Sequence, residues 1–292
     1  MDGRMSSTVT RGAAVATAAL ATLLGLPAAA AAQGDCFPGP GSNEARTFAS
    51  FSVPLAFSSA GAPERSAGLR FGLETASVSG VDRATATPTI CRPGKGPENT
   101  NLLPAFPRPR LTVPMPGGLG LELSWIPPVR VGGVRADLFG LAVERSFGRP
   151  DGIVLGLRGH ATLGSLRAPI TCDDAALADP SSECFGGRRS DDRFRPNILG
   201  AEARVGFPVA HGRLRPYAGI GYNRLHPRFQ VHFVNRDGAL DNRRVEVDLD
   251  RVTTFGGATW AVSPGLDLSG ECYAVPADGV SGRVVVRFAV GR

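Results

Sequence analysis

Side chains alternate across a β-strand, so a run whose polarity switches at every residue has one apolar and one polar face. That alternation recurs along most of this chain and constrains its fold more than any other feature. Near the C-terminus, Val284, Val286, Phe288 and Val290 fall on one face, and Arg283, Val285, Arg287 and Ala289 on the other. Leu69, Phe71 and Leu73 alternate with Arg70, Gly72 and Glu74. Leu119, Leu121, Leu123 and Trp125 oppose Gly120, Glu122 and Ser124, and Phe139, Leu141 and Val143 oppose Gly140, Ala142 and Glu144. Leu155 and Leu157 oppose Gly156, Arg158 and His160, while Leu199, Ala201, Ala203 and Val205 oppose Gly200, Glu202 and Arg204. Leu214, Ala218, Ile220 and Tyr222 oppose Arg213, Arg215, Tyr217, Gly219 and Asn223. Val245, Val247 and Leu249 oppose Arg244, Glu246 and Asp248, and Leu266 and Leu268 oppose Asp267, Ser269 and Glu271.

A soluble sandwich shows the same alternation, so the spacing of the turns matters. Short turns fall near residues 116, 149, 211 and 264, and longer loops near 95, 130, 183, 238 and 277. Regular exchange of short turns and longer loops is the plan of a transmembrane barrel, with turns on one side and loops on the other. The expected fold is all-β: an antiparallel up-and-down transmembrane barrel of about ten strands, within roughly eight to twelve.

The rest of the chain agrees with a strand-and-turn protein. It has 38 Gly, 24 Pro and only 7% aromatic residues, and no sustained heptad or long amphipathic helix. Residues 1–32 read as a signal peptide: Arg4 and Arg11, then an apolar stretch at 12–26, then an Ala-rich tract. No later stretch is long and apolar enough for a transmembrane helix, so any membrane crossing is made by strands. Residues 33–67 form an N-terminal segment, helical or irregular, at or in the barrel, and 68–292 form the barrel itself. Ser42, Asn43 and Glu44 look like a helix start, and Ala45, Phe48, Ala49 and Ser52 then share a helical face. The stretch 84–108 reads as a loop, with a short strand over 110–113.

Net charge is +6 and Lys95 is the only lysine. There is no contiguous basic run and no nucleic-acid motif, so nucleic acid is not an expected partner. The charges belong to the inward faces. Gly72 and Glu74, Gly120 and Glu122, and Gly200 and Glu202 repeat one local pattern, a small residue beside a carboxylate. Such a face suits a crowded lumen in which charges must pair. The expected lumen network is Glu74, Glu122, Arg158, Glu202, Arg204, Arg213, Arg215, Glu271, Arg283 and Arg287.

From residue 68 onward the pattern resembles the small bacterial outer-membrane barrels, the OmpA-like and related families. Arg215, Pro216, Tyr217, Ala218, Gly219, Ile220, Gly221 and Tyr222 carry the resemblance, together with the last strand. It implies residence in the cell outer membrane after export, lipid contact, and recognition by the barrel-insertion machinery through that last strand. In those families the last strand commonly ends on an aromatic residue; here Phe288 is followed by a tail to Gly291 and Arg292.

No cofactor or metal motif stands out, and no catalytic one. Asn235, Arg236, Asp237 and Gly238 lack the calcium-loop pattern, and Asp173, Asp174, Asp191 and Asp192 read as loop charges. His160 shares a face with Arg158; His226, His232 and Ser269 are the residues from which a lipid-modifying hydrolase would have to be assembled. The expected function is a structural or surface-interaction role with a mostly occluded, charged lumen. A narrow porin-like pore or carrier for small solutes or hydrophobic molecules is the second reading, and the hydrolase the third. Of five cysteines, Cys172 and Cys184 bracket one polar loop and are expected to pair. Cys272 is expected to be a free thiol facing lipid, and Cys36 and Cys91 to pair if the N-terminal segment threads the lumen.

Overall fold

In a computed structural model of the chain, residues 34–65 and 68–290 are described; the expected signal peptide lies outside them. Ten of the strands form a closed ring. They are β1 (Arg70–Ser77), β2 (Ala105–Met115), β3 (Leu119–Ile126), β4 (Val134–Gly148) and β5 (Val154–Ala168). The others are β6 (Ile198–Gly206), β7 (Leu214–Leu225), β8 (Leu249–Ser263), β9 (Leu266–Val275) and β10 (Gly279–Ala289). Each pairs antiparallel with its neighbours in the chain, and β10 closes on β1 with Arg70 opposite Ala289. Closure leaves no exposed sheet edge around the ring.

The turn side is tight, with only residues 264–265 between β8 and β9 and Pro116–Gly118 between β2 and β3. The loop side carries residues 78–104, 169–197 and 226–248. The connection near 277, expected to be long, is only residues 276–278.

Polarity is the reverse of a soluble barrel's. Glu74, Arg110, Glu122, Arg158, Glu202 and Arg283 face inward and are buried. Leu73, Leu141, Leu157, Ile220 and Val284 face outward and are exposed. Two aromatic girdles bound this apolar belt: Trp125, Phe139 and Tyr222 towards the loops, and Phe71, Phe147, Phe207, Trp260 and Phe288 towards the turns. Phe139 and Phe147 are eight residues apart on β4. At ~3.3 Å per residue and a tilt of about 40°, that is roughly 20 Å of height, close to the ~25 Å apolar band of a membrane barrel.

Beyond the loop-side girdle the faces exchange polarity. Val134, Ala136, Leu166, Ala168, Phe194, Phe229 and Val245 turn inward and are buried, while Arg135 and Arg167 turn outward. Val245, Val247 and Leu249 thus line an apolar interior, not a lipid face, because the wall at that height has risen above the apolar belt. Three short strands, Asp192–Arg195, Arg228–Gln230 and Arg244–Glu246, extend the wall from β5. The helix α1 (Asn43–Ser52) packs beneath it, with Phe48 5.8 Å from Phe194 and 5.3 Å from Phe229 between ring centroids.

Two strands depart from the sequence reading. β2 starts at Ala105, inside the expected loop, and contains Pro107, Pro109 and Pro114. Proline lacks the ladder donor and suits places where a strand is paired on one side. Pairing with β3 begins only at Arg110, and pairing with β1 stops at Thr112, so each of these prolines has a single partner strand. β8 runs on through residues 251–263, which the apolar alternation did not mark, because its outward face includes Thr254, Gly256 and Ala258.

Candidate functional site

The lumen is filled by the chain's own N-terminal segment. The Ser42 side chain caps α1 by accepting from Ala45 N at 3.1 Å. Glu44 accepts from the backbone amides of Thr89, Ile90 and Cys91 at 3.0, 2.7 and 2.8 Å, which ties the helix to the first loop. The Cys36–Cys91 disulfide (Cα–Cα 5.8 Å) adds a covalent tie on the loop side. From there the chain descends, and every residue over 52–63 is buried. Glu64 meets Arg70 and Arg215 near the turns.

After a turn in which Leu55 N and Ala56 N donate to Ser52 O, the carbonyls of residues 53–63 have no backbone partners among the described residues, so the wall must supply donors. Arginines do so. Arg108 donates to Leu55 O at 2.9 Å and Ala56 O at 3.4 Å, Arg158 to Phe57 O at 3.2 Å, and Arg110 to Ser58 O at 2.5 Å. Arg283 donates to Val53 O at 2.9 Å, and Arg287 to Ser59 O at 2.6 Å and Ala60 O at 3.2 Å. The hydroxyl of Thr162 donates to Leu55 O at 3.0 Å, while Ala62 N donates to Thr259 Oγ1 at 2.9 Å. The Phe57 ring lies among three guanidinium groups, at 4.5 Å from Arg110, 5.0 Å from Arg158 and 5.3 Å from Arg108. Close approach requires small wall residues. A Cβ on Gly140 would stand 3.0 Å from the Phe57 ring, and one on Gly156 or Gly206 would stand 2.9 or 2.8 Å from Pro63.

The remaining arginine valences go to carboxylates. Arg110 pairs with Glu74 and Glu122, each at 2.7 Å. Arg158 reaches Glu122 at 2.7 Å, Glu144 at 3.5 Å and Glu202 at 3.9 Å, and Arg204 binds Glu144. Glu271 accepts from the Ser58 hydroxyl at 2.6 Å and the Tyr217 hydroxyl at 3.1 Å, with Arg283 at 3.8 Å. Asp267 pairs with Arg70 at 2.8 Å and Arg215 at 3.5 Å. Near the turns a cavity of about 60 Å³ remains, lined by Glu64, Arg70, Glu144, Arg204, Arg215 and Asp267 among others. It has room for a water or two.

The structure therefore gathers Glu74, Glu122, Arg158, Glu202, Arg204, Arg215, Glu271, Arg283 and Arg287 in one lumen. Arg287 is held by plug carbonyls and Ser269, with no ion-paired carboxylate among the described residues. Arg213 is a correction: it lies in the turn before β7 and is exposed, because the strand begins one residue later. Arg108, Arg110, Glu64, Arg70, Glu144 and Asp267 were not in the expected network. Arg108 and Arg110 do alternate with Pro107 and Pro109, a period-two signal that the prolines obscure. Glu64 had no periodic signal.

The other singled-out residues serve local structure. Cys172 and Cys184 are bonded in the long loop (Cα–Cα 5.6 Å), and Cys272 is free and exposed on the outer wall. Asp173 caps the short helix Asp174–Ala178, and Asp192 accepts from the amides of Ile170, Thr171 and His232 at 3.0, 2.6 and 2.8 Å. Asn235 closes its own turn through Asp237 N and Ala239 N. His226 follows β7 on the loop side and pairs with Asp248, whereas Ser269 sits towards the turns beside Thr259 and Arg287, so they form no common site.

No family model and no curated protein matches the chain. Among solved structures it is similar to the translocator domain of the autotransporter NalP from Neisseria meningitidis, at 11% identity over 85% of this chain and 98% of that one, TM-score 0.37. A KdgM porin matches at 9% identity over 76% of this chain and 99% of that one, TM-score 0.31. The attachment invasion locus protein Ail of Yersinia pestis matches at 11% identity over 76% and 99%, TM-score 0.29. At these values the likeness carries no argument, and the barrel rests on the strand register of this chain.

Proposed function

We propose that this chain is an outer-membrane barrel protein, closed by its own N-terminal segment, with a structural or surface-interaction role. The observation that carries this reading is the unbroken burial of residues 52–63 along the lumen, with their carbonyls held by Arg108, Arg110, Arg158, Arg283 and Arg287. A wall that spends its charges on a fixed peptide leaves no continuous path for a solute, so the narrow-pore and carrier readings lose ground. The role proposed is also non-catalytic, since the candidate histidines and Ser269 stand on opposite sides of the barrel. Surface presentation falls to the long loops, braced by the two disulfides.

Planar-bilayer recording tests the occlusion. The intact protein should be electrically silent, and a variant lacking residues 34–65 should conduct. Steady conductance from the intact protein overturns the occluded-lumen reading. Cell fractionation tests the location: the mature chain should partition with outer membranes and migrate faster before boiling than after. Recovery as a soluble periplasmic protein without detergent would remove the membrane reading.

A further inference from the structure

Above the loop-side girdle the outward face of the wall carries a transverse row of arginines. Arg130 lies opposite Arg135, Arg135 opposite Arg167, and Arg167 opposite Arg193. Arg193 lies opposite Gln230, and Gln230 opposite Arg244. A second, shorter row sets Arg195 opposite Arg228 and Arg228 opposite Glu246. With strands ~4.8 Å apart, the longer row runs about 24 Å around the barrel.

Like charges directly opposite on neighbouring strands are destabilising, and here they recur from strand to strand. The fold only partly offsets them. Asp191 takes Arg130 at 3.2 Å and Arg167 at 3.1 Å, and Arg228 meets Glu246 at 3.1 Å and Asp248 at 2.9 Å. Asp137, just below the row, is engaged by the Trp125 indole at 3.2 Å. Among the described residues, Arg135, Arg193, Arg195 and Arg244 have no carboxylate partner. Between the short strands lies a groove of about 300 Å³ lined by Arg193, Arg195, Arg228, Gln230, Arg244 and Glu246. Partial burial, with Arg195 and Arg167 alongside, holds the Arg193 guanidinium below its ordinary value. An anion seated there would relieve that repulsion.

Height selects the anion's source. Arg135 is four residues beyond Phe139, and Arg167 four beyond Leu163. That is about 13 Å along a strand and ~10 Å in height at the usual tilt. The polar layer of a bilayer begins at the edge of the hydrocarbon and is several Å thick on each side. With the girdles ~20 Å apart in a ~25 Å band, the hydrocarbon edge lies about 2–3 Å above Phe139 and the row about 7–8 Å above that edge. The row thus stands at the outer boundary of a polar layer ~5–8 Å thick, and its long side chains, which face sideways, can reach down into that layer. On this basis, and resting on the membrane reading above, we propose that the arginine row binds the phosphate groups of anionic lipid in the leaflet on the loop side. Guanidinium groups suit phosphate because their planar donors pair with two oxygens at once.

The test uses the full chain in vesicles of phosphatidylcholine, with and without bisphosphorylated lipid A as the probe. The variant is Arg193→Gln/Arg195→Gln/Arg244→Gln, which breaks none of the ion pairs named here. Wild type should retain lipid A through purification and bind it tightly. At ~1 kcal/mol per basic side chain near an anionic surface, the variant should bind on the order of 100-fold more weakly, and high salt should erase the difference. Equal heat-modifiability of the two proteins would show that the variant keeps its barrel. Should it lose the barrel, Arg244→Gln alone, at the far end of the row, is read instead, with a smaller loss expected. If both chains insert and take up lipid A equally, this inference falls while the membrane reading stands. Preference for soluble heparin over lipid A, with no lipid retained, also overturns it in favour of a soluble polyanion. A chain that inserts into neither vesicle overturns the membrane reading and the inference together.

Discussion

Replacing Arg110 by Met tests the lumen network at its most connected point. Arg110 is among the largest fully buried side chains of the barrel. It is the only ion-pair partner of the buried Glu74 among the described residues, at 2.7 Å. It also pairs with Glu122 at 2.7 Å, donates to Ser58 O at 2.5 Å and stacks 4.5 Å from the Phe57 centroid. Methionine keeps much of the volume, so the main loss is electrostatic. Glu122 retains Arg158 at 2.7 Å, but Glu74 is left without a direct ion-pair partner, with only Arg108 and Arg283 acting on it from farther off. Breaking a buried pair from one side costs about 3–5 kcal/mol, most of it from the stranded charge. Arg287→Met is the control. Among the described residues it strands no ion-paired carboxylate, and it loses three bonds, to Ser59 O, Ala60 O and Ser269 Oγ, each worth about 1.5–3 kcal/mol for a charged donor. Its loss therefore has no carboxylate partner whose neutralisation could restore it. Arg110→Met/Glu74→Gln should recover much of the loss, since both members of the pair are then neutral. The measurement is reversible urea unfolding in lipid vesicles, followed by the fluorescence of Trp125 and Trp260, which sit on opposite girdles. No recovery in the Arg110→Met/Glu74→Gln double variant, or an equal recovery when Glu74→Gln is added to Arg287→Met, would refute the assignment of Arg110 as the charge that holds Glu74.

Gly156→Leu should displace Pro63 from the wall and loosen the plug, seen as new conductance or protease access to residues 53–63 with the barrel still heat-modifiable; a silent, protected variant would show that the close approach is not needed. Ile220→Arg should cost about 2–4 kcal/mol in a bilayer, since Ile220 is 63% exposed on the apolar belt; tolerance there in the same urea titration would misplace the belt. Opening the Cys172–Cys184 bond, which spans 12 residues, should cost the loop about 3 kcal/mol, read as faster proteolysis of 172–184 in Cys172→Ser/Cys184→Ser. Burial pushes the Glu98 carboxyl in the first loop up to about 7, although Lys95 at 3.0 Å opposes the shift. A raised acid stabilises the fold fully below its unfolded value, and that contribution is lost as pH rises from about 4.5 to about 7. Protection factors around residues 86–98, corrected for the base-catalysed rise in intrinsic amide exchange, should therefore fall across that window, and Glu98→Gln should flatten the fall; protection factors constant across the window in wild type would contradict it.

The sequence by itself determined the two faces of most strands. Side-chain alternation is a local property of an extended chain, so Leu73 against Glu74, or Ile220 against Asn223, could be sorted without knowing any neighbour. Turn spacing then set the up-and-down order. The expected helix start at Ser42 was also local, because a cap is made within one turn. Partnerships across the lumen were not local. Arg110 meets Ser58 and Arg283 meets Val53 only because the barrel closes around a chain that comes down its axis. Residues 53–63 show no period because all their sides are covered, and what binds them is backbone carbonyl, which is the same in every sequence. The exchange of faces above Phe139 had the same origin. Val134 and Val245 carry no mark that distinguishes them from Val143 or Val284, and only the height at which the wall leaves the apolar belt for polar surroundings decides which way each must turn.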